Sequence, residues 1–131
     1  MIVVDTNVMA YLLTGGPNGE DAERLLRADP EWAAPGILLS ELRNVLLGLI
    51  RRRRLRLDDA LAMHADAEDV LRDRVVGVDG DAVLQTAAAC RLSAYDAEFV
   101  VLARTLGARL VSMDEDILKR APDVATRLSA S

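Results

Sequence analysis

The sequence predicts an α/β domain with a mainly parallel sheet. Short aliphatic runs such as Ile2–Val4 alternate with longer segments in which apolar residues recur at helical spacing. Strands that alternate with helices are typical of βαβ units, so this order favours parallel pairing. A chain of 131 residues, 51% of them hydrophobic, can bury one aliphatic core. We therefore expect residues 1–131 to form a single domain.

Each predicted element has a local signal at its ends. Pro30, Gly107 and Pro122 each end a helical segment, because proline and glycine do not continue a helix well. The predicted order is a strand at 2–4, helices at 8–13 and 22–29, a short strand at 31–35, an antiparallel pair of helices at 36–53 and 55–74, a strand or loop at 75–80, helices at 81–91 and 92–107, a strand at 108–113 and a short helix at 114–122.

The charge balance restricts the class of partner. Lysine and arginine total 16 against 21 acidic residues, a formal net charge of −5, so the overall field of the molecule does not attract a polyanion. A nucleic acid would have to be held by a local patch. No apolar stretch approaches the roughly 20 residues that cross a bilayer, and no leader peptide is evident, so we expect an intracellular, cytoplasmic protein without a membrane partner.

The scarcity of histidine, cysteine and lysine excludes several kinds of catalytic site. Cys90 and His64 are single residues of their types, too few soft ligands for structural zinc. The sequence has no G-x-S-x-G motif for a triad hydrolase and no P-loop. Carboxylates remain the abundant reactive groups.

Two aspartates each follow a predicted strand. Asp5 ends the run Ile2–Val4, and Asp114 ends the segment 108–113. Ligands of open α/β sheets bind beyond the carboxyl ends of the strands, so neighbouring strands would place both carboxylates at one edge. Both residues also precede helices, and aspartate is a favoured N-cap; helix capping alone is an equally good interpretation.

A polar stripe runs along the apolar helix predicted at 36–53. Ser40, Glu41, Asn44 and Gly48 share one face at about 100° per residue. The other faces are apolar, so we expect a largely buried helix whose stripe lines a cleft, with a solvated stripe as the alternative. The apolar positions are Ile37, Leu38, Leu39, Leu42, Val45, Leu46, Leu49 and Ile50.

Asp96 lies at the start of the helix predicted at 92–107. Ser93 and Asp96 have the spacing of a capping box. A capping carboxylate in the first turn is stabilised by the helix dipole and can still face a metal ion, so the two roles are compatible. We interpret Glu98 as an ordinary surface acid.

Several carboxylates at one place raise one another's pKa unless a cation neutralises them. Hard oxygen ligands suit Mg²⁺ or Mn²⁺. Such ions act on phosphodiesters, where they polarise phosphoryl oxygens and activate an attacking water.

Four segments together resemble a known family. DTNV at residue 5, SEL at residue 40, LSAYDAEFVVLA near residue 96 and RLVSMDEDIL near residue 114 resemble the PIN domain, specifically the VapC-like ribonuclease toxins of toxin–antitoxin modules. The resemblance covers nearly the whole chain in order. It implies a three-layer α/β/α sandwich of flavodoxin-like or Rossmann-like type.

The resemblance also implies an active site. Asp5, Glu41, Asp96 and Asp114 would be the acidic quartet that holds Mg²⁺ or Mn²⁺, and these four would carry catalysis. Thr6 and Asn7 would support Asp5, and the Ser112 hydroxyl would orient the quartet. Asp116 is ambiguous: it could be an auxiliary ligand, an acid of the helix N-terminus, or the residue that takes the place of Asp114.

The function that the resemblance implies is that of an endoribonuclease toxin. It would cut structured RNA such as tRNA or rRNA by water attack, leaving a 5′-phosphate and a 3′-hydroxyl. The family usually dimerises and is inhibited by a cognate antitoxin, so a homodimer and an antitoxin partner are further expectations.

The basic run at 51–56 has two interpretations. Arg51, Arg52, Arg53 and Arg54 could close a helix, where cations favour the negative end of the dipole. They could instead hold RNA phosphates without choosing a sequence. The aromatic residues are few and scattered, which favours core or interface roles over base stacking.

Two other functions remain open. An aspartate after the first strand could be the nucleophile of a haloacid dehalogenase-type phosphatase, although position 7 is Asn where that mechanism wants a second acid and Lys119 follows all four acids. A non-catalytic module that binds a protein through its apolar helices, with the acids acting as caps, is the third hypothesis.

Overall fold

Five parallel strands form the sheet at the centre of the computed structural model, which describes residues 1–129. Their spatial order is β3-β2-β1-β4-β5. The strands are β1 (Ile2–Val4), β2 (Trp32–Pro35), β3 (Val75–Val76), β4 (Leu110–Ser112) and β5 (Ala125–Arg127). In the central strand, Val3 pairs with Ala33 on one side and with Leu110 on the other. The predicted α/β fold with a mainly parallel sheet is confirmed.

Helices connect the strands in the predicted order. They are α1 (Thr6–Thr14), α2 (Gly19–Ala28), α3 (Ile37–Arg51), α4 (Leu57–Leu71), α5 (Gly80–Cys90), α6 (Ala94–Leu106) and α7 (Glu115–Arg120). The first helix begins at Thr6 and not at the predicted Val8, because Asp5 already acts as its N-cap. Of the helices in the described part of the chain, none has the length and apolar character needed to cross a bilayer.

The edge strand β5 is absent from the sequence-based prediction. It contains only Ala125, Thr126 and Arg127, and a run this short with one strongly polar residue gives little strand signal. Its pairing partner is β4, which supplies a ladder over all three residues. Tertiary pairing therefore decides its conformation.

The strand order divides the helices between the two faces of the sheet. The chain moves outward from β1 through β2 to β3, then returns to β4 beside β1 and continues to β5. Because crossover connections are right-handed, these opposite directions place α1–α4 on one face and α5–α7 on the other. The predicted three-layer α/β/α sandwich is confirmed. The reversal of direction lies between β1 and β4, where open α/β sheets bind ligands.

The core is aliphatic with two aromatic residues at its centre. Trp32 on β2 and Phe99 on α6 are completely buried, and Leu110 of β4 packs in the same cluster. Their burial confirms core roles for these two aromatic side chains. These contacts pack the sheet, through Trp32 and Leu110, against helix α6, through Phe99.

Helix α3 is less buried than the sequence predicts. It buries one stripe, Leu38, Leu42 and Leu46, against α1, α4 and β2. Val45 and Leu47 are each 39% exposed. The expectation of a largely buried helix is wrong because the neighbouring elements cover only one side of α3, which leaves apolar residues at the surface.

We predict that Phe99→Ala lowers the free energy of unfolding by about 3–5 kcal/mol, since it removes a fully buried ring and leaves a cavity. Urea denaturation checks this. Leu84→Ala on α5 is the matched control, because Leu84 is 70% exposed and its loss should change stability by only about 0.5 kcal/mol. Equal effects of the two substitutions would contradict the assignment of Phe99 to the core.

Candidate active site

Asp5 is a buried carboxylate fixed from two sides. It follows β1 directly and caps α1, with its Oδ1 accepting a hydrogen bond from the Thr6 backbone N–H at 2.7 Å. Its Oδ2 accepts one from the Ser112 hydroxyl at 2.7 Å. The residue is 6% exposed. Two donors at a buried site hold the carboxylate in one orientation.

Ser112 connects the two central strands at their carboxyl ends. Besides donating to Asp5, its hydroxyl oxygen accepts a hydrogen bond from the Asp114 backbone N–H at 2.9 Å. Asp114 in turn caps α7, because its Oδ1 accepts from the Ile117 backbone N–H at 3.1 Å. Both aspartates are therefore helix N-caps, as one interpretation of the sequence holds. Both also lie at the same edge of the sheet, as the other interpretation holds.

Glu41 approaches the same edge from α3. Its Oε1 accepts a hydrogen bond from the Thr6 hydroxyl at 2.7 Å. Thr6 therefore contacts two of the predicted acids, Asp5 through its backbone and Glu41 through its side chain. This contact joins the first turn of α1 to the second turn of α3.

Asp96 belongs to the first turn of α6. Ser93 is the N-cap, and its hydroxyl accepts a hydrogen bond from the Asp96 backbone N–H at 3.0 Å. The carboxylate of Asp96 is half-buried and faces the carboxylates of Asp114 and Glu41 closely enough for their charges to raise its pKa. Capping by Ser93 leaves the Asp96 side chain available to the site.

All four predicted acids line one cleft of about 540 Å³ at the carboxyl edge of the sheet. They arrive from four separate parts of the chain, after β1, in α3, in α6 and after β4. The lining residues are Asp5, Thr6, Asn7, Ile37, Ser40, Glu41, Asn44, Val45, Tyr95, Asp96 and Asp114. Ser40, Glu41 and Asn44 of the α3 stripe thus line a cleft, as the sequence predicts, whereas Gly48 lies beyond its lining.

Burial makes two of these carboxylates, Asp5 and Asp96, harder to ionise. The pKa of Asp5 rises from 3.8 to about 6, mainly because of burial and with a smaller contribution from the charges of Asp96 and Glu41. The hydrogen bonds from Ser112 and Thr6 act in the opposite direction. Burial is also the main cause that raises the pKa of Asp96, followed by the charges of Asp114 and Glu41. A cation in the cleft would relieve both effects.

The donor atoms of the cleft fit a hard divalent cation. They are carboxylate oxygens, joined by the amide oxygen Oδ1 of Asn7, a buried atom without a hydrogen-bond partner. An unpartnered amide oxygen beside carboxylates is the kind of ligand that Mg²⁺ and Mn²⁺ accept. No three acidic, histidine or cysteine side chains among residues 1–129 already stand in a metal-holding arrangement. The chemistry therefore fits, and coordination requires side-chain adjustment within the cleft.

Two predicted groups lie outside the cleft. Asp116 is exposed in α7, with Oδ1 3.8 Å from the Arg120 guanidinium, and does not line the cleft, whereas Asp114 does. The charge of Asp116 still helps to raise the pKa of Asp96. The arginines 51–54 lie at the far end of α3. Only Arg51 belongs to that helix, and Arg52–Arg54 form the turn after it.

Tyr95 is a cleft residue that sequence reasoning misses. It is 63% exposed and lines the cleft next to Asp96. A single aromatic residue in a sequence does not reveal which side of a helix it occupies. Its position beside a predicted site acid was the available signal.

Comparison with known proteins adds two findings on sequence. A model of the PIN domain family matches residues 2–124. Ribonuclease VapC3 of Pyrobaculum aerophilum is 29% identical over 129 residues, which cover 95% of this chain and 98% of that protein.

Solved structures share the fold. Mycobacterium tuberculosis VapC20, described as a sarcin–ricin loop-cleaving toxin, is 25% identical with a TM-score of 0.69, over 91% of this chain and 94% of that one. A toxin–antitoxin complex from Klebsiella pneumoniae contains a chain that is 17% identical with a TM-score of 0.65, over 89% and 90% of the two chains.

The raised pKa of Asp5 predicts a pH-dependent penalty on stability. Because its folded-state pKa of about 6 exceeds the ordinary 3.8, the carboxyl group favours the folded state most below about pH 4, and this contribution is lost as the pH rises through about 6. Asn cannot ionise. We therefore expect Asp5→Asn to gain roughly 2–3 kcal/mol relative to wild type between pH 4 and pH 7.

Urea unfolding in EDTA at a series of pH values measures this difference without interference from divalent cations. A difference between the two proteins that stays constant from pH 4 to pH 7 would contradict the raised pKa.

Proposed function

The chain belongs to the PIN domain family, and from this premise we propose that it is a metal-dependent endoribonuclease toxin that hydrolyses RNA phosphodiester bonds in the carboxylate cleft. The family match and the ribonuclease among its relatives support a nuclease. The proposal treats residues 1–131 as one catalytic domain.

The convergence of four carboxylates in one cleft is the observation that carries the proposal. Asp5, Glu41, Asp96 and Asp114 are far apart in sequence and meet where the strand order reverses. Helix capping explains Asp5 and Asp114 one at a time, but it does not require their side chains to share a cleft with Glu41. A common cation explains why these mutually repelling groups share one place.

The residues divide into ligands and supports. Asp5, Asp96 and Asp114 would hold Mg²⁺ or Mn²⁺, with Asn7 Oδ1 as a neighbouring oxygen donor. Such an ion, when bound, polarises the phosphoryl oxygens and lowers the pKa of the attacking water. Ser112 and the Thr6 backbone N–H fix the direction of Asp5, so that its carboxylate need not reorganise during the reaction.

Glu41 is assigned as the general base that accepts a proton from the attacking water. One of its oxygens accepts the Thr6 hydroxyl, which orients the carboxylate into the cleft. The other oxygen can then accept the proton while water attacks phosphorus, and the 3′ oxygen of the preceding nucleotide leaves and takes a proton from solvent. The products are a 5′-phosphate and a 3′-hydroxyl.

The cleft suits an unpaired strand. Tyr95 presents an exposed ring at its edge, next to Asp96, and a ring in this position offers a stacking surface for one base. Bases become available for stacking in loops and bulges of structured RNA. We therefore propose tRNA or rRNA loops as substrates, a choice supported by the sarcin–ricin loop activity of the similar VapC20.

A protein partner is supported by an apolar groove between α3 and α4. The groove has a volume of about 440 Å³, and Leu57 and Leu61 on its rim are each 60% exposed. Exposed leucines at one place indicate a surface that another protein covers. We propose a cognate antitoxin, as in the Klebsiella pneumoniae complex, and a homodimer of the toxin.

The two alternative functions have less support. Lys119, which a phosphatase of the haloacid dehalogenase type would need beside its nucleophile, is exposed on α7 and does not line the cleft. A non-catalytic module would need only independent caps, whereas hydrogen bonds link Asp5 to Asp114 through Ser112.

We predict that Asp96→Asn lowers the rate of Mn²⁺-dependent RNA cleavage by about 100-fold or more, because it removes one ligand charge and leaves the Ser93 cap intact. Single-turnover cleavage of a structured rRNA fragment measures the rate. Glu98→Gln is the matched control, since Glu98 lies two residues away on the same helix and outside the cleft. Undiminished cleavage by a pure Asp96→Asn preparation would refute the assignment.

A further inference from the structure

The polar stripe of α3 continues beyond the cleft to an arginine. Glu41, Asn44, Gly48 and Arg52 follow one another at helical spacing. At about 100° per residue, Gly48 and Arg52 both lie within roughly 20° of Glu41 around the helix axis. At about 1.5 Å per residue, Gly48 lies about 10 Å beyond Glu41 along that axis.

Gly48 provides the space in which the Arg52 guanidinium lies. A Cβ atom built on Gly48 would be 3.4 Å from Arg52 Nη1, 3.5 Å from Nη2 and 3.8 Å from Cζ. The guanidinium thus folds back against the helix surface at the glycine, and Arg52 stays exposed to solvent. Any side chain longer than alanine at position 48 would compete for this space.

The arginine has unused hydrogen-bonding capacity. Within residues 1–129, no hydrogen bond or ion pair engages the side chains of Arg52 or its neighbours Arg51, Arg53, Arg54 and Arg56. Other arginines of this acidic protein are paired, such as Arg104 with Asp123 and Arg127 with Glu115. The turn after α3 is therefore a local positive patch in line with a negatively charged cleft.

A phosphate is the group that this arrangement recognises. A guanidinium presents planar, forked N–H donors, which match phosphate oxygens in a bidentate manner. Its distance from Glu41 places it away from the bond that is cleaved. A strand that enters the cleft along α3 would pass over Gly48 and bring a second phosphate to Arg52.

We infer that Arg52, seated on Gly48, binds a phosphate of the RNA strand flanking the cleavage point and so positions that strand along α3. The inference rests on the proposed ribonuclease function. It assigns Arg52 as a positioning residue and gives Gly48 a role that its poor helix propensity does not explain.

A purely structural role is the competing explanation. Arg52 is the C-cap of α3, and its backbone N–H donates to the Gly48 carbonyl. A cation there also favours the negative end of the helix dipole. Arg72 offers a matched comparison, because it is the exposed C-cap of α4 and carries the same charge away from the stripe.

The test is equilibrium binding of a fluorescently labelled, mixed-sequence single-stranded RNA in EDTA, at several salt concentrations. Phosphate contacts do not read sequence, so the natural target is not needed, and without divalent cations the RNA stays intact. We expect Arg52→Gln to weaken affinity several-fold and to reduce the slope of log K against log salt by about 0.7. Arg72→Gln should change neither quantity.

Two further variants separate positioning from stability. Arg52→Lys should keep the salt slope, because the charge remains, but lose part of the affinity with the fork. Gly48→Gln should weaken RNA binding as Arg52→Gln does, while its melting temperature equals or exceeds that of wild type, since glutamine is the better helix former. If Arg52 had only a structural role, a loss of RNA affinity in Gly48→Gln would be accompanied by a lower melting temperature.

The outcomes are distinguishable from failure of the proposed function. If wild type binds RNA and Arg52→Gln matches it in affinity and slope, the inference is overturned, the arginine belongs to another partner or to none, and the ribonuclease proposal stands. If wild type does not bind RNA at any salt concentration, the inference is also overturned. The separate comparison of Asp96→Asn with Glu98→Gln in the cleavage assay then decides whether the ribonuclease proposal fails with it.

Discussion

The contact of the Ser112 hydroxyl with both central strands is the constraint on which the site depends. It donates to the Asp5 carboxylate and accepts from the Asp114 backbone, so it joins the ends of β1 and β4 at a completely buried position. A buried carboxylate is costly unless donors satisfy it. The parallel pairing of β1 with β4 supplies such a donor to Asp5 and places Asp114 beside it.

The same arrangement opposes folding. Burial and neighbouring negative charges raise the pKa of Asp5 and Asp96, so the folded protein holds carboxylates that would ionise more easily in the unfolded chain. The core formed around Trp32 and Phe99 compensates for this. Raised pKa values of this kind are typical of functional sites.

Much of the fold and of the site follows from local sequence signals. Strand runs that end on Asp5 and Asp114, and the polar stripe of α3, indicate a shared edge but leave helix capping as an equally good interpretation. The full set with Asp96 comes from the resemblance to the PIN domain. Other features depend on tertiary contacts that no local pattern records. The strand β5 exists because β4 offers it a ladder, and the exposed faces of α3 reflect which neighbours reach it. The contact of the Arg52 guanidinium with Gly48 depends on the conformation of the Arg52 side chain at the end of α3, which helical periodicity alone does not specify.

Binding of Mn²⁺ by the metal-free protein tests the central claim that the four carboxylates act as one cation site. Thermal unfolding of wild type and Asp114→Asn over a Mn²⁺ titration at pH 7 measures it without any substrate. At ten times the dissociation constant, a ligand specific for the folded state adds about 1.4 kcal/mol, or a few degrees in Tm for a domain of this size. The account predicts this rise for wild type and its loss in the variant. Equal responses of the two proteins would show that the carboxylates do not form a shared metal site.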